Sequence, residues 1–91
     1  MFSTPTEIRF GRDGSGRTEL ELLAGDRPGL LSEVGQVLLE AGVSVHAAKI
    51  MTIGERAEDV FHVSTQTGGP LSEEDCETLR AALVERLDRK S

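Results

Sequence analysis

The chain has 91 residues, ten Lys and Arg against sixteen Asp and Glu, and an apolar content of 37%. This length accommodates one small domain and leaves no room for a second. The formal net charge of −6 disfavours nucleic acids and anionic membrane surfaces as partners, because their phosphate groups would be repelled. The sequence contains no apolar run of 18 residues and opens without the features of a secretory signal, so a cytoplasmic location is expected.

Residue types that carry metal or covalent chemistry are sparse. Cys76 is a single cysteine, which excludes an internal disulfide and fits a reducing compartment, and its acidic neighbours favour a core residue over a nucleophile. His46 and His62 are expected on neighbouring strands, but no further ligands accompany them. We therefore expect neither a metal nor a cofactor.

Two strands are predicted at the start of the chain, over residues 6–10 and 18–24, joined by a glycine-rich turn over residues 11–17. Both strands alternate between apolar and polar residues, which is typical of a sheet covered on one face. The predicted inward residues are Ile8, Phe10, Leu20, Leu22 and Ala24.

The first helix is predicted over residues 28–41, where apolar residues recur at helical spacing. Asp26 is predicted to cap it, and Pro28 is tolerated in the first turn because that turn needs no N–H at this position. Gly42 is predicted as the left-handed residue that follows the last turn.

A hairpin is predicted next, with strands over residues 43–53 and 58–66. The alternation in the first of these strands slips, and a bulge near His46 and Ala47 reconciles it. In the second strand Phe61 and its alternate neighbours are predicted to share one face.

The second helix is predicted to end near Leu87, with Ser72 and Asp75 forming an approximate capping box at its start. The resulting order, strand-strand-helix-strand-strand-helix, predicts an α+β two-layer sandwich of the ferredoxin-like type, with two helices on one face of a four-stranded antiparallel sheet. The usual last strand is missing from this order. Residues 6–10 are predicted to replace it by pairing with residues 18–24.

The junction at residues 25–30 contains two glycines, an acid and a proline between a strand and a helix. Such a corner leaves backbone N–H groups free at the positive end of a helix, where they can hold a carboxylate. A tight turn with no ligand is the alternative that these residues leave open.

The segment Asp26-Arg27-Pro28-Gly29-Leu30-Leu31 resembles the signature corner of ACT domains, small regulatory modules that bind amino acids between paired copies. The resemblance covers residues 18–87. It implies one ACT domain over residues 6–88, with short tails at residues 1–5 and 89–91.

Residues 45–50 and the run from Ile53 to Phe61 are similar to a narrower group, the C-terminal ACT domain of bifunctional uridylyltransferases and uridylyl-removing enzymes. That resemblance implies a glutamine sensor that controls uridylylation and deuridylylation of the PII nitrogen-regulatory protein, with the catalytic residues in other domains. The chain ends soon after the second predicted helix, which favours an excised segment, although a stand-alone ACT protein stays open. A ligand-free association module is the other alternative.

The ligand-binding residues implied by these arguments are Asp26, Arg27, Pro28, Gly29, Leu30 and His46. The N–H groups of Arg27, Gly29 and Leu30 are expected to bind the carboxylate of an amino acid, and Asp26 its ammonium group. Gly29 is expected to keep the approach open. Arg27 and His46 are placed by resemblance and proximity alone, with His46 expected beside the corner.

An apolar group formed by Leu23, Met51 and Val60 is predicted on the sheet face that the helices leave open. On a small domain such a group usually marks a contact surface. We therefore expect a homodimer, or contact with a neighbouring ACT domain of the parent enzyme.

Overall fold

The computed structural model describes residues 5–88. The predicted tails therefore lie outside the described residues, except for Pro5. Within the described range no helix is long and apolar enough to cross a membrane. The elements are β1 (Glu7–Arg12), β2 (Thr18–Gly25), α1 (Leu30–Glu40), β3 (Ser44–Ile53), β4 (Arg56–Ser64) and α2 (Glu73–Leu87).

The four strands form one antiparallel sheet in the order β1-β2-β4-β3. This confirms the predicted ferredoxin-like sandwich and the predicted pairing of the N-terminal strand with β2. That strand is longer than predicted, because pairing continues to Arg12 opposite Thr18. The turn is then confined to a few residues held by Asp13, whose Oδ1 accepts hydrogen bonds from the N–H groups of Ser15 and Arg17 at 2.8 and 3.1 Å.

The core lies between the two helices and one face of the sheet. Alternation along β2 places Leu20 and Leu22 in this core with no exposed surface, whereas Glu19 and Glu21 keep part of theirs. Ile8 is buried and Phe10 packs partly buried against the same cluster, as predicted. The other buried apolar residues are Ala24, Leu30, Val34, Val37, Leu38, Ala57, Phe61, Val63, Leu79, Leu83 and Leu87.

Helix α1 begins two residues later than predicted, and the prediction that Asp26 caps it is wrong. The N-cap is Gly29 in a left-handed conformation with φ 83°, and no side chain caps this helix start within residues 5–88. The turn closes through the backbone instead, since the Leu30 N–H donates to the Arg27 carbonyl at 3.2 Å. The predicted left-handed Gly42 at the other end is confirmed, with φ 76°.

The predicted bulge in β3 is confirmed by a register shift between Val45 and Ala47. Strand β3 is an edge strand, and residues 45–53 are all exposed, so the helices leave most of it uncovered. The hairpin turn is tighter than predicted because β4 already begins at Arg56. Gly54 allows this turn, with φ 63°.

Helix α2 starts as predicted, with the Ser72 Oγ accepting a hydrogen bond from the Asp75 N–H at 3.1 Å. Cys76 is half-buried in its first turns, and burial raises the pKa of its thiol. No strand follows α2 in the part of the chain that the structure describes. Strand β1 therefore supplies the fourth strand.

Candidate functional site

A cavity of about 220 Å³ lies at the corner where β2 passes into α1, and it is bounded on the sheet side by β3 and β4. We call it the corner cavity. It is lined by Asp26, Arg27, Gly29, Leu30, Leu31, Ser32, Ile50, Thr52, Ala57 and Asp59. Most of the predicted site residues thus share one cavity with residues from the hairpin.

Residues of the first turn of α1 that line the corner cavity have free backbone donors. The N–H groups of Leu31 and Ser32 have no acceptor among residues 5–88. The Leu30 N–H, which the sequence predicted as a ligand donor, is already used by the Arg27 carbonyl. Free N–H groups at a helix start carry partial positive charge and can bind anions. The Arg27 and Gly29 N–H groups, the other two predicted donors, likewise have no acceptor among residues 5–88.

A buried carboxylate faces the same cavity. Asp59 on β4 lies opposite Leu22 of β2 and Ile50 of β3, which places it on the side of the sheet that carries the helices. It is 1% exposed, and its Oδ1 accepts a hydrogen bond from the Met51 N–H at 3.3 Å. Its Oδ2 has no hydrogen-bond partner within the described range. Burial raises the pKa of Asp59, and the negative charge of Asp26 raises it further.

Asp26 and Arg27 lie at the rim of the cavity. Since Asp26 is not used as a cap, its exposed carboxylate is available to a ligand, while its N–H donates to the Glu55 carbonyl at 2.9 Å. The Arg27 guanidinium forms an ion pair with Glu33 at 2.5 Å. Arg27 is therefore positioned at the cavity but already has an acidic partner.

Gly29 is favoured by its backbone conformation, a reason that was not predicted from the sequence. A Cβ added there would meet no protein atom within 4 Å, so a side chain would not clash with the fold. The backbone itself favours glycine here, because a φ of 83° disfavours residues with a Cβ. Pro28 precedes this residue and does not line the cavity.

His46 does not lie beside the corner, and the expected proximity is wrong. Its Nε2 is 2.7 Å from the Oγ of Ser64, at the far end of β4. The corner cavity meets β3 at Ile50 and Thr52 instead. At a rise of about 3.3 Å per strand residue, Ile50 and Thr52 lie roughly 13 to 20 Å from His46 along the strand.

The two histidines have separate partners, and the Nδ1 of His62 lies within hydrogen-bond distance of the Asp13 Oδ2, at 2.8 Å. Across residues 5–88 no group of three His, Cys, Asp or Glu side chains is arranged to hold a metal ion. The hydrogen bonds of His46 and His62 therefore serve local structure.

Asp59 lines the corner cavity but was not among the residues predicted from the sequence. The signal was present in the alternation of β4, because Asp59 shares the parity of Phe61 and Val63, both of which are buried. A charged residue at an inward position of a strand is unusual and indicates a special environment. Asp59 is identified when the predicted inward face of β4 is extended from Phe61 by two residues towards the hairpin turn.

The profile of the ACT domain family matches residues 18–75, which span β2, α1 and the β3–β4 hairpin. This chain belongs to the ACT domain family. The ACT domain is 46% identical over 94% of its length to the bifunctional uridylyltransferase/uridylyl-removing enzyme of Vibrio campbellii. The enzymes of the same description from Methylococcus capsulatus and Psychrobacter cryohalolentis are 46% and 45% identical over 92% and 94% of the chain. The chain spans about a tenth of the length of these relatives, 10% in each case.

Proposed function

We propose that this ACT domain senses a free amino acid, glutamine, at the corner cavity and thereby regulates a uridylyltransferase/uridylyl-removing enzyme. One observation carries the proposal: the cavity is lined by residues at the start of α1 that have unpaired N–H donors and by Asp59, whose buried Oδ2 has no hydrogen-bond partner among the described residues. A free amino acid carries a carboxylate and an ammonium group a few bonds apart. It therefore matches both kinds of lining group at once.

The regulatory part of the proposal is supported by the relatives. Their name combines the transfer and the removal of a uridylyl group, and the ACT domain corresponds to only 10% of each protein. We propose that the reactions, with the PII protein as substrate, belong to other domains, and that ligand binding here shifts the balance between them.

Calorimetric titration with glutamine tests the binding site. Ser32→Asp places a negative charge at the free N–H groups, and the fold tolerates it because acidic residues favour the first turn of a helix. This variant is expected to lose binding of the amino acid carboxylate. Gln36→Glu adds the same charge on the exposed side of α1, away from the cavity, and is expected to bind like the wild type.

Circular dichroism melts of both variants show whether they are folded. Loss of binding by folded Ser32→Asp with retention by Gln36→Glu supports the site. Equal binding by both variants contradicts it. In a full-length enzyme that carries this ACT domain, Ser32→Asp is expected to remove the response of the two opposing activities to glutamine.

A second candidate function is pairing with another ACT domain, and the open face of the sheet supports it. Leu23, Met51 and Val60 line a groove of about 340 Å³ on that face, together with the charged residues Arg9, Glu21, Lys49 and Glu58. The edge strand β3 exposes further apolar side chains, Ile53 on the open face and Val45 and Ile50 on the helix side, each between 45% and 49% exposed. An exposed edge strand of this length is a ready site for pairing with another chain.

Sedimentation as a function of protein concentration tests the association. Met51→Lys puts a positive charge into the apolar group. Residue 51 lies opposite Glu58 on the neighbouring strand, so the new lysine has an acidic partner and the isolated fold tolerates it. Dimerisation is expected to weaken in this variant and to persist in Thr67→Lys, which carries the same charge in an exposed turn. Dimers that form without any heat of glutamine binding favour the association module over the sensor.

A further inference from the structure

Asp59 is a carboxylate at a position where the fold requires none. Its neighbours on the same face of β4, Ala57 and Phe61, are buried apolar residues, and Leu22 and Ile50 lie opposite it on the flanking strands. An apolar side chain would suit these surroundings better, because burying a charge without a partner is costly. The carboxylate therefore has no structural explanation in its immediate packing.

The two oxygens of this carboxylate differ in their partners. Oδ1 accepts one hydrogen bond, from the Met51 N–H, at a donor to acceptor distance of 3.3 Å. Oδ2 has none among the described residues, although the side chain lines the corner cavity. When the carboxylate is ionised, Oδ2 can only accept hydrogen bonds, so the partner that it lacks is then a donor.

We propose that Asp59 determines the specificity of the corner cavity: its Oδ2 accepts a hydrogen bond from the ammonium group of the amino acid whose carboxylate binds the Leu31 and Ser32 N–H groups. The site then selects ligands with a free ammonium group and rejects analogues from which it has been removed. This inference rests on the proposed function and names the group that recognises one end of the ligand.

The charges around Asp59 determine how binding depends on pH. From the loop before α1, Asp26 faces it with a negative charge, and Arg27 is engaged with Glu33. The flanking strands contribute only the apolar Leu22 and Ile50 at the opposing positions. Burial and the Asp26 charge favour the protonated acid in the free domain, whereas an ammonium ligand favours the ionised form.

Binding therefore requires loss of the Asp59 proton at acidic pH. The sign follows from the raised pKa: above it the carboxylate is already ionised, and below it the ligand must displace a proton. Affinity for glutamine is expected to fall as the pH is lowered through the pKa of Asp59 in the free domain. Asp59→Asn removes this part of the pH dependence.

Calorimetry with two probes tests the inference on the full chain. Glutamine is compared with glutaramate, which is glutamine without its ammonium group. The wild type is expected to bind glutamine at least about tenfold more tightly than glutaramate, since a hydrogen bond between charged groups in a buried site is worth that much. Asp59→Asn, which has nearly the same shape, is expected to lose this preference.

Glu58→Gln is the matched control, because it removes one negative charge from the next residue of β4 on the opposite face of the sheet. It is expected to keep the preference for glutamine. The comparison of the two probes on the wild type, repeated across pH, needs no variant and remains informative if Asp59→Asn does not fold.

Three results overturn the inference. The first is a folded Asp59→Asn protein that keeps the affinity and the preference of the wild type. The second is a wild type that binds glutamine and glutaramate equally. Neither of these two results contradicts the proposed function. The third is a wild type that binds neither probe, which overturns the proposed function and this inference together.

Discussion

Ile8→Ala tests whether β1 is an integral strand of the sheet. Ile8 is 8% exposed, lies opposite Leu22 in the register with β2, and belongs to the main core cluster. Truncating a buried isoleucine to alanine lowers the free energy of unfolding by about 2 to 5 kcal/mol. Because an edge strand relaxes more easily than a central one, a loss of about 2 to 3 kcal/mol is expected for Ile8→Ala. For a domain of this size that corresponds to a fall in Tm of about 10 to 20 °C.

Urea denaturation followed by circular dichroism measures the change in the free energy of unfolding. The matched control is Arg9→Ala, because Arg9 is the next residue of β1, points to the other face, and has a side chain that is 70% exposed. Its ion pairs with Glu7 and Glu21 are 3.9 and 3.8 Å long, and such surface pairs contribute about 0 to 1 kcal/mol. If Ile8→Ala is no more destabilising than Arg9→Ala, then β1 does not complete the core.

Four further outcomes are expected. Gly29→Ala is expected to destabilise the domain by about 1 kcal/mol, because residue 29 has a positive φ. Gly35→Ala is expected to stabilise it by about 0.5 to 1 kcal/mol, because residue 35 lies in the interior of α1 with free space around it. Denaturant melts distinguish the two outcomes. Ser72→Ala is expected to cost about 1 kcal/mol through loss of the α2 cap, and an unchanged urea midpoint would show that the cap is dispensable. The pKa of Asp13 is held well below its usual value by hydrogen bonds from Ser15 and His62, so the stability it contributes is present above pH 3.8 and is lost as the pH falls. Asp13→Asn is therefore expected to flatten the acid side of the stability profile, and an identical profile would contradict this role.

The strands could be predicted from the sequence because alternation reports directly which face of a strand is buried. Leu20 and Leu22 identify the inward face of β2, and the slip in β3 identifies its bulge. The start of α1 could not be predicted from residue preferences alone. Asp26 is a good capping residue, but the left-handed Gly29 lets the backbone close the turn through Leu30, and this backbone turn prevails over the side-chain cap.

The candidate site was predicted in part. The corner itself follows from local sequence, since the glycine at position 29 and the helix that follows it are adjacent in the chain. Asp59 and Thr52 come to the cavity through sheet pairing, which local patterns do not reveal. His46 was misplaced for the same reason: the register of β3 against β4 puts its bulge at the end away from the corner.

Titration of isotope-labelled protein with glutamine, followed by the backbone amide resonances, tests the central claim most directly. If an amino acid binds at the corner cavity, the largest shifts occur at the amides of Leu31 and Ser32, with smaller ones at Asp59 across the cavity. Shifts that centre instead on Leu23 and Val60 of the open sheet face, or spectra that do not change at millimolar glutamine, would contradict the claim that this corner is an amino acid site.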